Sequence, residues 1–156
     1  MKIDLQPFLQ EGNATCLPVC LRIVLHYFGV DLSEESLAET CQTNREGTSI
    51  EMAAQAMRLQ RFETLELQEA DLFTLVEHIV KGRPVIVALD VGLLPYGESG
   101  MHAVAICGFE NNAVQYMEPA LGQEMSLDLL TFFKAWESLG RTGLVIYPKS
   151  NSQLEI

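Results

Sequence analysis

The chain has 156 residues, 48% of them hydrophobic, and 21 acidic against 10 basic residues give it a formal charge of −11. That length and apolar content suit one packed domain and exclude a disordered chain, while the acidity disfavours nucleic acid and anionic membrane surfaces as partners. The opening, Met1 to Pro7, has no apolar run of the signal-peptide kind, and no apolar stretch approaches membrane-spanning length. A soluble, cytoplasmic protein with no membrane insertion is the expectation.

In chain order, the first predicted helix covers Cys16 to Phe28, with Thr15 or Asn13 as its N-cap and Gly29 as its stop. Pro18 falls in its first turn, where a missing N–H costs little. Cys16, Cys20, Ile23, Val24 and Tyr27 recur at helical spacing, so the thiol of Cys16 tops an expected buried stripe. A thiol at a helix start has a lowered pKa, because the helix dipole and unpaired N–H groups stabilise the thiolate. Cys16 is therefore a candidate nucleophile. Ser33 opens a second helix through Cys41. A third begins at Ile50, capped by Thr48 or Ser49, and a fourth covers Ala70 to Val80 before Gly82-Arg83-Pro84.

From there the pattern changes. Pro84 to Leu89 is continuous and β-branched, which predicts a buried strand, and Gly92 to Gly100 reads as a loop. His102 to Phe109 and Ala113 to Met117 predict a hairpin around Glu110-Asn111-Asn112. A helix over Leu127 to Leu139 and a strand over Gly143 to Tyr147 follow. The expected fold class is α+β, with N-terminal helices packed on a C-terminal antiparallel sheet. Residues 1–147 form a single domain in this reading and 148–156 a flexible tail.

The hairpin carries a geometric expectation. If Phe109 pairs with Ala113, partner numbers sum to 222 and Glu118 lies opposite Val104, on the face that carries His102. Glu118 then orients the imidazole, and His102 holds the proton of the Cys16 thiol. A register shifted by one residue sends Glu118 to the wrong face. A zinc site from Cys16, Cys20, His102 and Cys107 is disfavoured: there is no CxxC pair, and His102 and Cys107 stand five apart on a strand. Cys20, Cys41 and Cys107 sit among apolar neighbours as small core residues, and His26 and His78 read as surface or packing residues.

Gln10-x5-Cys16-x-Pro18-x-Cys20-Leu21-Arg22, ending in Tyr27-Phe28-Gly29, resembles the opening of the papain-like cysteine peptidases that process bacteriocin precursors, the double-glycine peptidases. Four later segments follow in the family's order. They are Gly47-Thr48-Ser49, Gly82-Arg83-Pro84-Val85-Ile86-Val87, His102-Ala103-Val104 with Gly108-Phe109, and Glu118-Pro119-Ala120-Leu121-Gly122. The resemblance spans Gln10 to Tyr147, and ordered motifs are more specific than any one of them alone. It implies a papain-like fold, Cys16 as nucleophile, His102 as general base and acid, and Glu118 where the family has Asp. It also implies that Gln10 donates its side-chain amide to the oxyanion, beside the Cys16 N–H.

The implied reaction is attack of the Cys16 thiolate on a peptide carbonyl and hydrolysis of the thioester, with no cofactor or metal. The implied partners are a peptide or protein substrate and a transporter or peptide-maturation protein. With no transmembrane or ATPase segment attached, the chain reads as a stand-alone relative. Two departures stand out: Leu17 replaces a small Gly and is expected to narrow the approach to the thiol, and Glu118 is one methylene longer than Asp. A thiol protease is the first reading. A degenerate papain-like domain that binds a peptide or partner protein without cutting it is the second, and acyl transfer to an acceptor other than water uses the same residues.

Overall fold

The computed structural model describes residues 1–97 and 100–149. Its elements are α1 (Cys16–Tyr27), α2 (Glu34–Thr40), α3 (Ile50–Leu59), β1 (Phe62–Leu67), α4 (Leu72–Val80), β2 (Val85–Asp90), β3 (Met101–Glu110), β4 (Ala113–Glu118), β5 (Gln123–Asp128), α5 (Leu129–Glu137) and β6 (Gly143–Pro148). A single 3₁₀ turn, Val91–Leu93, follows β2. Among the described residues, no helix is long and apolar enough to cross a membrane.

Helix α1 is apolar on more than one face, and a helix of that composition has to be buried. Leu17, Val19, Cys20, Leu21, Ile23, Val24 and Leu25 all lie in the core, and α1 packs against β3, β2 and α2. The expected stripe is therefore too narrow, and Tyr27, which was to belong to it, is exposed instead. Gly29 ends the helix at φ 87°, where its N–H reaches the His26 carbonyl. A left-handed residue closing a helix this way is most easily a glycine. Ser33, Ser49, Asp71 and Asp128 cap the next four helices, each accepting the N–H three residues on.

All six strands join one antiparallel sheet in the order β1-β6-β2-β3-β4-β5. Two of them correct the expectation of helices first and strands later: β1 precedes α4, and β5 takes Leu127 and Asp128, which were expected in α5. β6 also continues through Pro148, one residue into the expected tail. Residues 150–156 of that tail, and Glu98 and Ser99 of the expected loop, lie outside the described residues.

The hairpin register differs from the expected one at its turn and agrees with it at the other end. Glu110 pairs with Ala113 around a two-residue loop, Asn111-Asn112, whose φ values of 55° and 60° are those of a type I′ turn. Partner numbers then sum to 223 through Gly108↔Gln115. A β-bulge at Cys107 restores 222 for Ile106↔Tyr116 and Ala105↔Met117. The two offsets cancel, so Glu118 arrives on the His102 face. Beyond the end of β2, the first residues of the chain take its place against the bulge. Ile3 N–H donates to the Cys107 carbonyl at 2.7 Å and Phe109 N–H to that of Met1 at 3.0 Å. A Cβ on Gly108 would stand 2.8 Å from the Met1 carbonyl oxygen, so only glycine admits this close approach.

The left-handed turn gives a stability test. Asn112→Gly is expected to stabilise the protein by about 0.5–1 kcal/mol, raising Tm by roughly 1–4 °C, and Asn112→Val to lower it. Thermal unfolding of the two variants checks the sign.

Candidate active site

Cys16 is the first residue of α1, and the loop before it is held from three directions. Thr15 Oγ1 donates to the Gly12 carbonyl at 3.0 Å instead of capping the helix, which leaves the first-turn N–H groups near the thiol. Glu34, nearly buried on α2, accepts the Glu11 N–H at 2.9 Å and the Gly12 N–H at 3.0 Å. Gln10 N–H donates to the Pro119 carbonyl at 2.9 Å, tying this loop to the segment that follows Glu118. The Gln10 side chain is also engaged: Nε2 donates to the Gly12 carbonyl at 2.8 Å, while Oε1 is buried with no partner among the described residues. One N–H of that amide remains for any other acceptor.

The thiol itself faces β3. Ala103 N–H points at Cys16 Sγ from 3.5 Å, and the His102 imidazole lies against the sulfur. Burial, the largest influence, pushes the thiol pKa up. The imidazole, the Ala103 N–H and the Leu17 N–H together outweigh it, and the net shift is downward. The reciprocal holds for His102. Burial pulls its pKa down, but the Cys16 sulfur and the Glu118 carboxylate raise it to about 9. Both shifts favour a thiolate beside an imidazolium, since each charge stabilises the other. Cys20, one turn below and wholly buried, is pushed well above the ordinary thiol range. Burial likewise raises Cys41 to about 11 and Cys107 to about 12, so Cys16 alone of the four is activated.

Glu118, 1% exposed, meets the other side of the ring. Its Oε1 contacts His102 Nε2, which leaves Nδ1 for the thiol, and Oε1 also accepts the Ala120 N–H at 3.0 Å. Oε2 accepts from the Tyr96 hydroxyl at 2.8 Å, and Tyr96 in turn lies 2.6 Å from the Tyr116 hydroxyl. With the Tyr96 proton on the carboxylate, Tyr116 donates to Tyr96. The added methylene of Glu is thus matched by a phenol reaching in from the loop after β2.

Of the residues singled out in the sequence, Cys16, His102 and Glu118 are brought together in a line. Gln10 flanks them through Gly12 and Pro119. Tyr96 and Tyr116 were missed. Tyr116 stands two residues before Glu118 and so shares its face of β4, a signal that was available; nothing local marks Tyr96. Leu17 is 4% exposed, packed into the core one turn ahead of Leu21, and it also lines the cavity beside Cys16 and His102, so the expected narrowing of the approach is neither removed nor measured by its burial. A cavity of about 320 Å³ opens beside Cys16 and His102. His26 is surface-lying, its Nδ1 2.7 Å from Asp31 Oδ1, and His78 is packed on α4.

The model of the Peptidase_C39-like family matches residues 2–144. The chain belongs to that family. Its fold is shared with a Bacillus anthracis protein described as a C39-like peptidase, at TM-score 0.78 and 17% identity over 96% of this chain and 99% of that one. The peptidase domain of Streptococcus ComA, a bifunctional ABC transporter, aligns at TM-score 0.76 and 23% identity over 92% and 98%. A double-glycine-motif protease from an AMS/PCAT transporter, solved with a leader peptide, aligns at 0.77 and 17% over 95% and 94%. At these identities the likeness is one of fold. No curated protein matches the chain. Membership in the Peptidase_C39-like family supports a peptidase-type hydrolase and explains why a helix-start thiol and a strand histidine meet on this scaffold.

Glu118 can be tested directly. Glu118→Gln removes the charge that helps raise His102, so the imidazole pKa is expected to fall from about 9 towards or below the ordinary value as burial takes over. NMR titration of the His102 ring protons reads it. Tyr96→Phe leaves a buried carboxylate oxygen without its donor and is expected to cost about 1–3 kcal/mol in denaturant unfolding.

Proposed function

We propose that this protein is a cysteine peptidase in which Cys16 attacks a peptide carbonyl, His102 moves the proton and Glu118 holds the imidazole. The observation that carries the reading is the line of Cys16, His102 and Glu118, with the Ala103 N–H on the sulfur and the Glu118 carboxylate on the far side of the ring. In this mechanism the thiolate adds to the carbonyl carbon. The developing oxyanion is met by the Cys16 N–H at the start of α1 and the remaining N–H of Gln10. The imidazolium then gives its proton to the leaving amine, the C–N bond breaks, and a thioester is left on Cys16. Neutral His102 takes a proton from water as it attacks the thioester; the C–S bond breaks, the carboxylic acid leaves, and the thiolate–imidazolium pair is restored. Glu118 holds the ring in place and stabilises the imidazolium.

Peptides are the substrate class in this reading, and a small peptide precursor fits it best. The ComA-like and leader-bound neighbours support that choice, together with a transporter or maturation protein as partner.

The pH dependence has a definite sign. Deprotonation of Cys16 switches the pair on below the ordinary thiol pKa of 9.0, and loss of the His102 proton at about 9 switches it off. Peptide kcat/KM is therefore expected to be bell-shaped with its alkaline limb near 9. Iodoacetamide labelling of Cys16 should be fast at neutral pH. It should slow about tenfold for each unit of thiol pKa regained in His102→Ala, where the imidazole no longer opposes burial. A wild-type labelling rate equal to that of an ordinary thiol would sink the enzyme reading.

A further inference from the structure

Two carboxylates are buried among the described residues, Glu118 and Glu34. Glu118 belongs to the line through His102, whereas Glu34 hydrogen-bonds no member of that line. Its partners are backbone groups: the Glu11 N–H reaches both of its oxygens, at 2.9 and 3.1 Å, and the Gly12 N–H one of them at 3.0 Å. Burying a carboxylate is costly unless such charge-assisted bonds offset the loss of water. The element that carries it is firmly placed, since Ser33 caps α2 and Leu37 lies in the core.

What the three bonds hold is Gly12. Its carbonyl accepts Gln10 Nε2 at 2.8 Å and Thr15 Oγ1 at 3.0 Å. The first is the one hydrogen bond of the Gln10 amide among the described residues, whose Oε1 is buried without a partner. The direction of the remaining Gln10 N–H therefore follows from where Gly12 stands. There is little slack at that point, because a Cβ on Gly12 would meet Thr15 Oγ1 and Cγ2 at 3.0 Å. The thiol is placed by other means: α1 packs in the core, and the Ala103 N–H and His102 meet the sulfur from β3.

Resting on the peptidase reading, we propose that Glu34 is a positioning residue for the oxyanion. By holding Gly12 it aims the free Gln10 N–H at the oxygen that becomes charged when the Cys16 thiolate adds to a carbonyl. Nucleophile and oxyanion donor are thus placed by separate parts of the molecule. Loss of the clamp slows turnover and leaves the thiol armed. A misdirected donor is expected to cost about 10- to 100-fold in kcat, less than the roughly 100- to 1,000-fold that follows removal of the donor itself.

Three readouts separate these parts. Iodoacetamide labelling of Cys16 needs the thiolate and no oxyanion. Acetylated dipeptide aldehydes of mixed sequence need both: the thiolate adds reversibly to the aldehyde carbon, the C=O π pair moves onto oxygen, and nothing leaves. Cleavage of internally quenched peptides of mixed sequence adds turnover. Glu34→Gln keeps the shape but sets an amide NH₂ against a backbone N–H, and Glu34→Asp keeps the charge but draws it back by one methylene. Both are expected to weaken aldehyde binding and slow cleavage about 10- to 100-fold, with labelling within about twofold of wild type. That unchanged labelling also certifies the fold. In a Gln10→Ala background the same two changes should cost less than about threefold, because the amide they misdirect is gone. Aldehyde affinity kept in both Glu34 variants, or a loss as large without Gln10 as with it, overturns the inference. So does labelling that falls as far as the affinity, which would make Glu34 a general support of the helix start. Aldehyde binding that depends on Glu34, with no peptide cleaved by wild type, keeps the inference and overturns the peptidase reading. Neither binding nor cleavage by wild type overturns both.

Discussion

A carboxylate taken out of water is stable in its charged form only if every oxygen finds a donor. Glu118 meets that condition through His102, the Ala120 N–H and the Tyr96 hydroxyl, which come from a strand, a turn and a loop. The rest of the site depends on it. Without that charge the buried imidazole would hold its proton poorly, and without the imidazolium the buried thiol would keep its own. The bulge at Cys107 serves the same end, since it returns Glu118 to the face of the sheet on which the thiol waits.

The reading from sequence succeeded where local chemistry is strong. Gly29 and the apolar run from Cys16 marked α1, Ser33 marked the start of α2 at the residue that caps it, and of the two candidates Thr48 and Ser49 it is Ser49 that caps α3. The two missed strands are the two edges of the sheet, β1 and β5. An edge strand has a solvated side and carries charge, so Phe62-Glu63-Thr64-Leu65-Glu66-Leu67 and Gln123-Glu124-Met125-Ser126-Leu127-Asp128 lack the apolar continuity of β2. The site residues themselves were legible as spaced motifs. Glu118 was placed correctly through a turn assigned one residue early, because an unforeseen bulge cancelled the error. Leu17 is a different case: its size is visible in sequence, but that it packs into the core as well as lining the cavity follows from α1 being buried on most sides.

The site is assembled from two arms that share no secondary structure. Cys16 belongs to the helical arm, with its loop clamped by Glu34, and His102 and Glu118 to the sheet. The contact from Gln10 N–H to the Pro119 carbonyl and that from Ala103 N–H to Cys16 Sγ cross between the arms. A small relative shift of helix against sheet would alter the thiol–imidazole distance before it altered either arm internally. Catalytic geometry of this kind is sensitive to packing far from the sulfur.

The paired phenols settle what fails first in alkali. Burial raises Tyr116 to about 12 and pushes Tyr96 beyond the ordinary phenol range as well. Both hydroxyls therefore still carry their protons when the imidazolium has already lost its own near 9. The hydroxyl donors beneath the carboxylate thus outlast the imidazolium charge above it.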